Sequence, residues 1–131
     1  FPSSSIMDIT GVDERSFYLF EYSDGRIASL SSGYSQFAPC EAIISGSEGY
    51  IRIPQFFAAQ GFSVHKAGQE SQTHSYPFSS NENFSFEIQH MQDCIQQGLL
   101  QSPILPHDES LQVMQTMDIL RGQWGLRYEG E

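Results

Sequence analysis

The stretch SFYLFEY at residues 16–22, followed by SDG at 23–25 and RIASLSS at 26–32, predicts a β-hairpin. Large side chains alternate along the first segment in a manner typical of a strand. The Asp-Gly pair supplies the positive backbone angles that a tight turn requires. We therefore take this hairpin as the starting point of the fold.

Period-two patterns elsewhere predict further strands at residues 6–10, 41–45, 50–53, 62–66 and 73–76. From Asn83 the period becomes helical, and Gly98 is placed to end the helix. The apolar positions on one face of this helix are Phe84, Ile88, Met91 and Ile95. A second helix is predicted to begin near His107 or Asp108, with a buried stripe of Leu111, Met114, Met117 and Leu120. Strands followed by helices, without alternation, predict an α+β fold with a mostly antiparallel open sheet and two C-terminal amphipathic helices.

The two sides of the strand at residues 16–22 are both apolar. Phe17 and Leu19 point to one side, and the other carries Tyr18, Phe20 and Tyr22. A sheet with one solvated face would alternate apolar with polar residues, and the two helices can cover only one face. We therefore predict that Tyr18, Phe20 and Tyr22 form the interface of a homo-oligomer, with docking of a missing domain as the competing interpretation.

Composition restricts the partners that this chain is expected to have. Of its 131 residues, 39% are hydrophobic and 17% charged, which favours a folded domain over a disordered segment. The formal net charge of -10 and the single lysine, Lys66, argue against nucleic acid and against an anionic membrane surface. Cys40 and Cys94 are far apart and lack a CxxC spacing, so two free thiols in a cytoplasmic protein are expected. No apolar run approaches the length of a membrane span.

Sequence motifs for cofactor or metal chemistry are missing from these residues. There is no GxGxxG, GxxxxGK[ST] or HExxH, and the glycine-rich loop at 46–49 is best interpreted as a hairpin turn. Glu87 and His90 have the spacing of half a di-metal site, but no second motif accompanies them, which favours a surface pair. The cluster of Phe56, Phe57 and Phe78 is compatible with an apolar ligand site and also with ordinary core.

Several segments, taken in order, carry a family resemblance: EAIISGSEGYIRIP at 41–54, FEIQH at 86–90, Gly98, and SPILP at 102–106. Together they resemble the C-terminal half of the glucose-fructose oxidoreductase and inositol dehydrogenase family. Within that family the sequence is most similar to the dihydrodiol dehydrogenase and D-xylose dehydrogenase branch. The similar region extends from Asp13 to Tyr128.

The resemblance implies that residues 1–131 form a single C-terminal domain on the substrate side of an NAD(P)-dependent oxidoreductase, one that also serves oligomerisation. NAD or NADP would be held by an N-terminal Rossmann domain, so this chain alone is expected to bind no cofactor and to be inactive. The family's catalytic lysine and its partner lie in Glu-Lys-Pro and Asp-x-Gly segments, which this sequence lacks, so no catalytic residue is assigned and Lys66 does not inherit the role. By position, Phe56 and Phe78 correspond to aromatic residues that line the family's pocket for a sugar, polyol or diol.

A second interpretation is a free-standing, non-catalytic binding or assembly module built on the same sheet. The length of the natural gene separates the two interpretations, because the dehydrogenase requires a chain far longer than 131 residues.

Overall fold

The computed structural model describes residues 3–79 and 84–128 of the chain. These residues form two compact units, one made of the described residues 3–37 and 101–128 and the other of 38–79 and 84–100. Each unit has its own sheet, and all strand pairings are antiparallel. The predicted α+β class with antiparallel strands and two late helices is therefore confirmed, with the strands divided between two sheets. The assignment of all 131 residues to a single domain stays a prediction.

In the first unit the sheet follows chain order, with strands β1 (Ser3–Met7), β2 (Asp13–Glu21) and β3 (Ile27–Gly33). The predicted hairpin is confirmed, since β2 and β3 pair in register from Arg15 opposite Gly33 to Glu21 opposite Ile27.

The first strand lies earlier than predicted, because the chain turns at Asp8 instead of continuing to residue 10. The Asp8 carboxylate accepts hydrogen bonds from the backbone N–H groups of Thr10 at 2.7 Å and Val12 at 3.3 Å. Gly11 follows with a φ of +84°, a conformation that favours glycine. An aspartate that bonds the backbone two residues later gives the chain a turn in place of a strand.

The second unit contains β4 (Glu41–Gly46), β5 (Gly49–Pro54), a 3-10 turn (Phe56–Ala58), β6 (Gly61–Lys66), β7 (Gln72–Ser75) and helix α1 (Ser85–Gln96). The four strands again pair in chain order, and the glycine-rich loop at 46–49 is the hairpin turn that the sequence predicts. The predicted helix start at Asn83 lies outside the described residues. Gly98, with a φ of +68°, ends this helical region as expected.

Two glycines permit a close approach of neighbouring strands in this second sheet. A Cβ atom on Gly49 would lie 2.0 Å from the carbonyl oxygen of His65, and one on Gly61 would lie 2.3 Å from that of His74. In both cases the obstructing atom belongs to the backbone of the next strand, which cannot move aside as a flexible side chain can. Glycine is therefore a steric requirement of the β5–β6 and β6–β7 pairings.

Helix α2 (His107–Trp124) joins the first unit through its C-terminal end. The Trp124 indole N–H donates to the Ser3 hydroxyl at 2.9 Å, and that hydroxyl donates to the Gln123 side chain at 2.6 Å. The Trp124 ring also lies 5.4 Å from the ring of Tyr18 on β2. The last turn of the helix is thereby fixed to strands β1 and β2.

The buried stripe predicted for α2 is wrong for three of its four residues. Leu120 is 6% exposed, whereas Leu111, Met114 and Met117 remain 45–58% exposed. The apolar face of α1 is exposed in the same way, at Phe84, Ile88, Met91 and Ile95, and only Cys94 of this helix is buried. Periodicity identifies the face of a helix that requires cover, but it does not show what covers it.

Candidate functional site

Phe56, one of the two predicted substrate-lining residues, lies on a tight turn directly after β5. Gln55 precedes it with φ +47° and ψ +52°, a left-handed conformation that non-glycine residues rarely adopt. The Ala58 N–H donates to the Gln55 carbonyl at 2.8 Å and closes the turn. The Phe56 ring stands edge-on to Phe57, with centroids 6.1 Å apart, and both rings are exposed. Strain of this kind clusters at functional sites, where surrounding structure maintains it.

Phe78, the other predicted residue, lies beyond the end of β7 and is half-buried. Its ring makes an edge contact with Phe86 in the first turn of α1, with centroids 6.2 Å apart. Phe56 and Phe78 thus pack on different neighbours. Neither residue lines the cleft described next, although Gln55 and Ser75, which precede them by one and three residues, do.

This cleft has a volume of about 480 Å³ and opens beside the end of β5, the start of β6 and the end of β7. Its wall consists of Pro54, Gln55, Gln60, Gly61, Phe62, Ser63, Thr73, His74 and Ser75. The volume falls within the range typical of small-molecule sites, roughly 300–1,000 Å³.

An aromatic stack that the sequence did not predict stands at this cleft. Phe62 is paired with His74 across β6 and β7, and their rings lie 4.7 Å apart and 20° from parallel. The Tyr76 ring stacks on Phe62 as well, at 6.3 Å and 22°. The Tyr76 N–H donates to the Gln60 carbonyl at 2.8 Å, which holds the chain beyond β7 beside the start of β6. The sequence signal for this stack was the alternate placement of two aromatic residues, His74 in β7 and Tyr76 just beyond it.

Most side chains on the other face of the same sheet are polar, although Ile43 lies there too. His65 stacks on Tyr50 with centroids 4.4 Å apart, and its Nε2 lies 2.8 Å from the Ser63 hydroxyl. Arg52 donates to the Glu41 carboxylate at 2.6 Å. These side chains satisfy one another, which is typical of a structural polar surface.

The residues predicted to form an interface lie on and just beyond β2. Tyr18 stacks with Phe20, with ring centroids 6.5 Å apart, on the face of the strand where Trp124 also contacts Tyr18. Tyr22 follows the strand, half exposed, with the Arg26 guanidinium 5.3 Å from its ring centroid. The opposite face presents Phe17, which is 48% exposed. Tyr18 is therefore partly covered by Trp124, whereas Tyr22 lies just beyond the end of β2 and is half exposed.

Two ionisable groups in the first unit have strongly shifted pKa values. Hydrogen bonds from the Thr10 side chain and from the Tyr34 hydroxyl lower the pKa of Asp8 to about 2. The bond to Asp8 raises the pKa of Tyr34 to about 12. Both shifts lead away from neutrality, so the carboxylate stays charged and the phenol neutral over the ordinary pH range. The pair is therefore suited to holding the turn, and not to proton transfer.

Replacing Tyr34 with phenylalanine should raise the Asp8 pKa toward its ordinary value near 4, because one hydrogen bond to the carboxylate is lost. A lowered folded-state pKa contributes stability above the unfolded-state pKa, and this contribution disappears as pH falls toward 2. In the Tyr34→Phe variant this contribution to stability should disappear at a higher pH. Titration of the Asp8 carboxyl by NMR measures the shift, with Tyr22→Phe as the control. An Asp8 pKa that is identical in both variants would contradict the assignment.

The part of the chain that the structure describes contains no group of three or more His, Cys, Asp or Glu side chains that could hold a metal ion. Glu87 and His90 lie on α1, where the His90 Nε2 is 3.5 Å from the Cys94 sulfur. Both Cys94 and Cys40 are free thiols. Among the described helices, none is long and apolar enough to cross a membrane.

Comparison with known proteins identifies relatives among oxidoreductases. The chain is 34% identical over 125 residues to the trans-1,2-dihydrobenzene-1,2-diol dehydrogenase of Xenopus laevis, and equally so to that of Xenopus tropicalis. The mouse enzyme of the same name is 26% identical over 123 residues. Each match covers 91% of this chain but only 37–38% of the relative, so the chain spans well under half of their length. No protein-family model matches the chain.

The family resemblance predicted from the sequence motifs is confirmed by these matches. The similarity falls in the C-terminal part of the relatives, as expected of a C-terminal oxidoreductase region. This chain is related to that part of the dihydrodiol dehydrogenases.

Proposed function

We propose that this chain is the substrate-side region of an NAD(P)-dependent oxidoreductase that acts on a sugar, polyol or diol. The observation that carries the proposal is the 34% identity over 91% of the chain to dehydrogenases named for a cyclic vicinal diol. The nicotinamide cofactor would be held by an N-terminal Rossmann domain of the same protein, because no dinucleotide-binding motif occurs in these residues. The proposal retains the expected cytoplasmic location.

The part played by this chain is to line the pocket and to support assembly. We assign Phe56 and Phe78 to the rim of a cleft of about 480 Å³, whose wall combines the Phe62 ring with hydroxyl, amide and imidazole groups. Such a mixture suits a ring that carries hydroxyl groups, since the apolar ring face packs on aromatic side chains while the hydroxyls bond to polar groups. The homo-oligomer would form through the sheet of the first unit, at Tyr18, Phe20 and Tyr22.

The proposal is tested by assaying the full-length protein for oxidation of trans-1,2-dihydrobenzene-1,2-diol and of D-xylose, with NAD and NADP in turn. Formation of the reduced nicotinamide, followed by its absorbance, is the expected result with at least one pair. A folded full-length protein that oxidises neither compound and binds neither cofactor would favour the non-catalytic module.

Replacing Phe56 or Phe78 with alanine in the full-length protein should lower kcat/KM by about tenfold, equivalent to about 1.4 kcal/mol of lost transition-state binding. The physical reason is the loss of an apolar ring that packs on the substrate. Phe37→Ala is the matched control, because Phe37 is a fully exposed phenylalanine of the first unit. Wild-type kinetics in both test variants would show that these rings do not contact the substrate.

A further inference from the structure

His74 is held flat in the cleft wall, and among the described residues its ring nitrogens have no hydrogen-bond partner. Phe62 covers one face of the imidazole at a centroid distance of 4.7 Å, and their cross-strand pairing fixes the ring in place. Within residues 3–79 and 84–128, neither ring nitrogen makes a hydrogen bond to the protein. His65, on the polar face of the same sheet, differs because its Nε2 is already engaged by Ser63.

Tyr76 extends the same arrangement. Its ring stacks on Phe62, and its hydroxyl likewise makes no hydrogen bond within the described residues. Imidazole nitrogens and a phenol both donate and accept hydrogen bonds, which matches the dual character of an alcohol. The Gln55 and Gln60 side chains line the same cleft and add amide groups to it.

A wall of this kind fits a small ring that bears neighbouring hydroxyls. The Phe62 ring supplies flat apolar surface, and His74 supplies a polar edge that this stacking already holds in place. Tyr76 stacks on Phe62 beside this wall. Preorganised groups of this type provide specificity, because a ligand that lacks the matching hydroxyl leaves them without a partner.

We propose that His74 is a specificity-determining residue whose imidazole binds one hydroxyl of a cyclic vicinal diol, with Tyr76 beside it and Phe62 as the supporting ring. This inference rests on the proposed function, since it assigns the substrate class to the same cleft. It also names His74 as the residue that distinguishes a cyclic diol from a ring with a single hydroxyl.

Binding of catechol and phenol to the full-length protein tests the inference without requiring turnover. Catechol is a planar vicinal diol. It is also the tautomer of the ketone that would form if one carbinol of trans-1,2-dihydrobenzene-1,2-diol were oxidised by the nicotinamide cofactor. Wild-type protein should bind catechol about tenfold more tightly than phenol, the factor expected of one additional hydrogen bond. Titration calorimetry measures both affinities.

His74→Phe should abolish this preference, because it keeps a stacked ring but removes both nitrogens. Catechol affinity should fall about tenfold while phenol affinity is unchanged, and in turnover KM for the diol should rise with kcat retained. His65→Phe is the matched control, since it alters the other stacked histidine of this sheet and should change neither affinity. Tyr76→Phe is a second variant that remains informative if His74→Phe fails to fold, because the Tyr76 ring is exposed. It should weaken catechol binding about threefold or more.

Several results would overturn the assignment of His74. One is a wild-type preference for catechol that survives both His74→Phe and Tyr76→Phe, and another is the absence of any catechol binding by the wild type. Failure of the proposed function gives a different signature, in which the wild type oxidises no diol while the binding preference still depends on His74.

Discussion

Replacing Gly49 with alanine is expected to lower the free energy of unfolding by about 3 kcal/mol. The new Cβ atom would lie 2.0 Å from the His65 carbonyl oxygen and 2.9 Å from the Lys66 Cα. Both atoms belong to the β6 backbone, so the clash can be relieved only by separating β5 from β6. Because the neighbouring backbone cannot adapt, the expected loss of stability lies at the upper end of the range usual for a point substitution.

Gly46 provides a matched control for this prediction. It lies opposite Gly49 in the same hairpin, but a Cβ atom there would meet nothing closer than the Gly49 carbonyl at 3.8 Å, an ordinary contact. Gly46→Ala should therefore change stability by less than about 0.5 kcal/mol. Urea unfolding of both variants measures the difference, and equal midpoints would show that the strands separate at little cost.

Phe20→Glu is expected to dissociate the proposed homodimer, with a dissociation constant raised by about a thousandfold. In a twofold interface each residue lies near its symmetry mate, so one substitution introduces two carboxylates into an apolar contact. An uncompensated charge in such a contact costs roughly 3–5 kcal/mol, equivalent to two or three powers of ten in affinity. Light scattering on the full-length protein at tens of micromolar measures the oligomeric state.

The same strand supplies a control on its opposite face. Phe17 is 48% exposed and one register position removed from Tyr18, so Phe17→Glu should leave the dimer intact. Because Phe20 stacks on Tyr18, Tyr22→Glu at a half-exposed ring is a second test variant that spares this packing. A monomeric wild type would defeat the proposal. A dimer broken by Phe17→Glu and not by Phe20→Glu would assign the interface to the other face.

The strands and helices could be predicted from the sequence because their signals are local. Alternation and an Asp-Gly turn define the hairpin of β2 and β3, and a change of period marks α1. The end of β1 was misplaced for an equally local reason, since the competing turn depends on the Asp8 side chain bonding the backbone of Thr10. Side-chain bonds of this kind compete with a strand even where the apolar pattern continues.

The candidate site was predictable only in part. Phe56 and Phe78 were proposed from the resemblance to a family, and their contact with a substrate stays a prediction. The His74 stack was missed because it depends on the register between β6 and β7, which brings His74 opposite Phe62 from twelve residues away. A shift of one residue would place the imidazole on the other face, so composition and spacing alone cannot identify such a pair.

The strand order of the two sheets also bears on how the chain acquires its structure. Within each sheet every strand pairs with the one before it in the chain, so each pairing closes a short loop, and loops of this kind cost little entropy and form quickly. The bond between Trp124 and Ser3 is the exception, because it joins residues 121 positions apart. During synthesis each hairpin can form as its second strand leaves the ribosome, whereas the first strand must wait for nearly the whole chain before α2 reaches it. Strand β1 therefore pairs with β2 early but is among the last strands of this chain to receive all of its contacts.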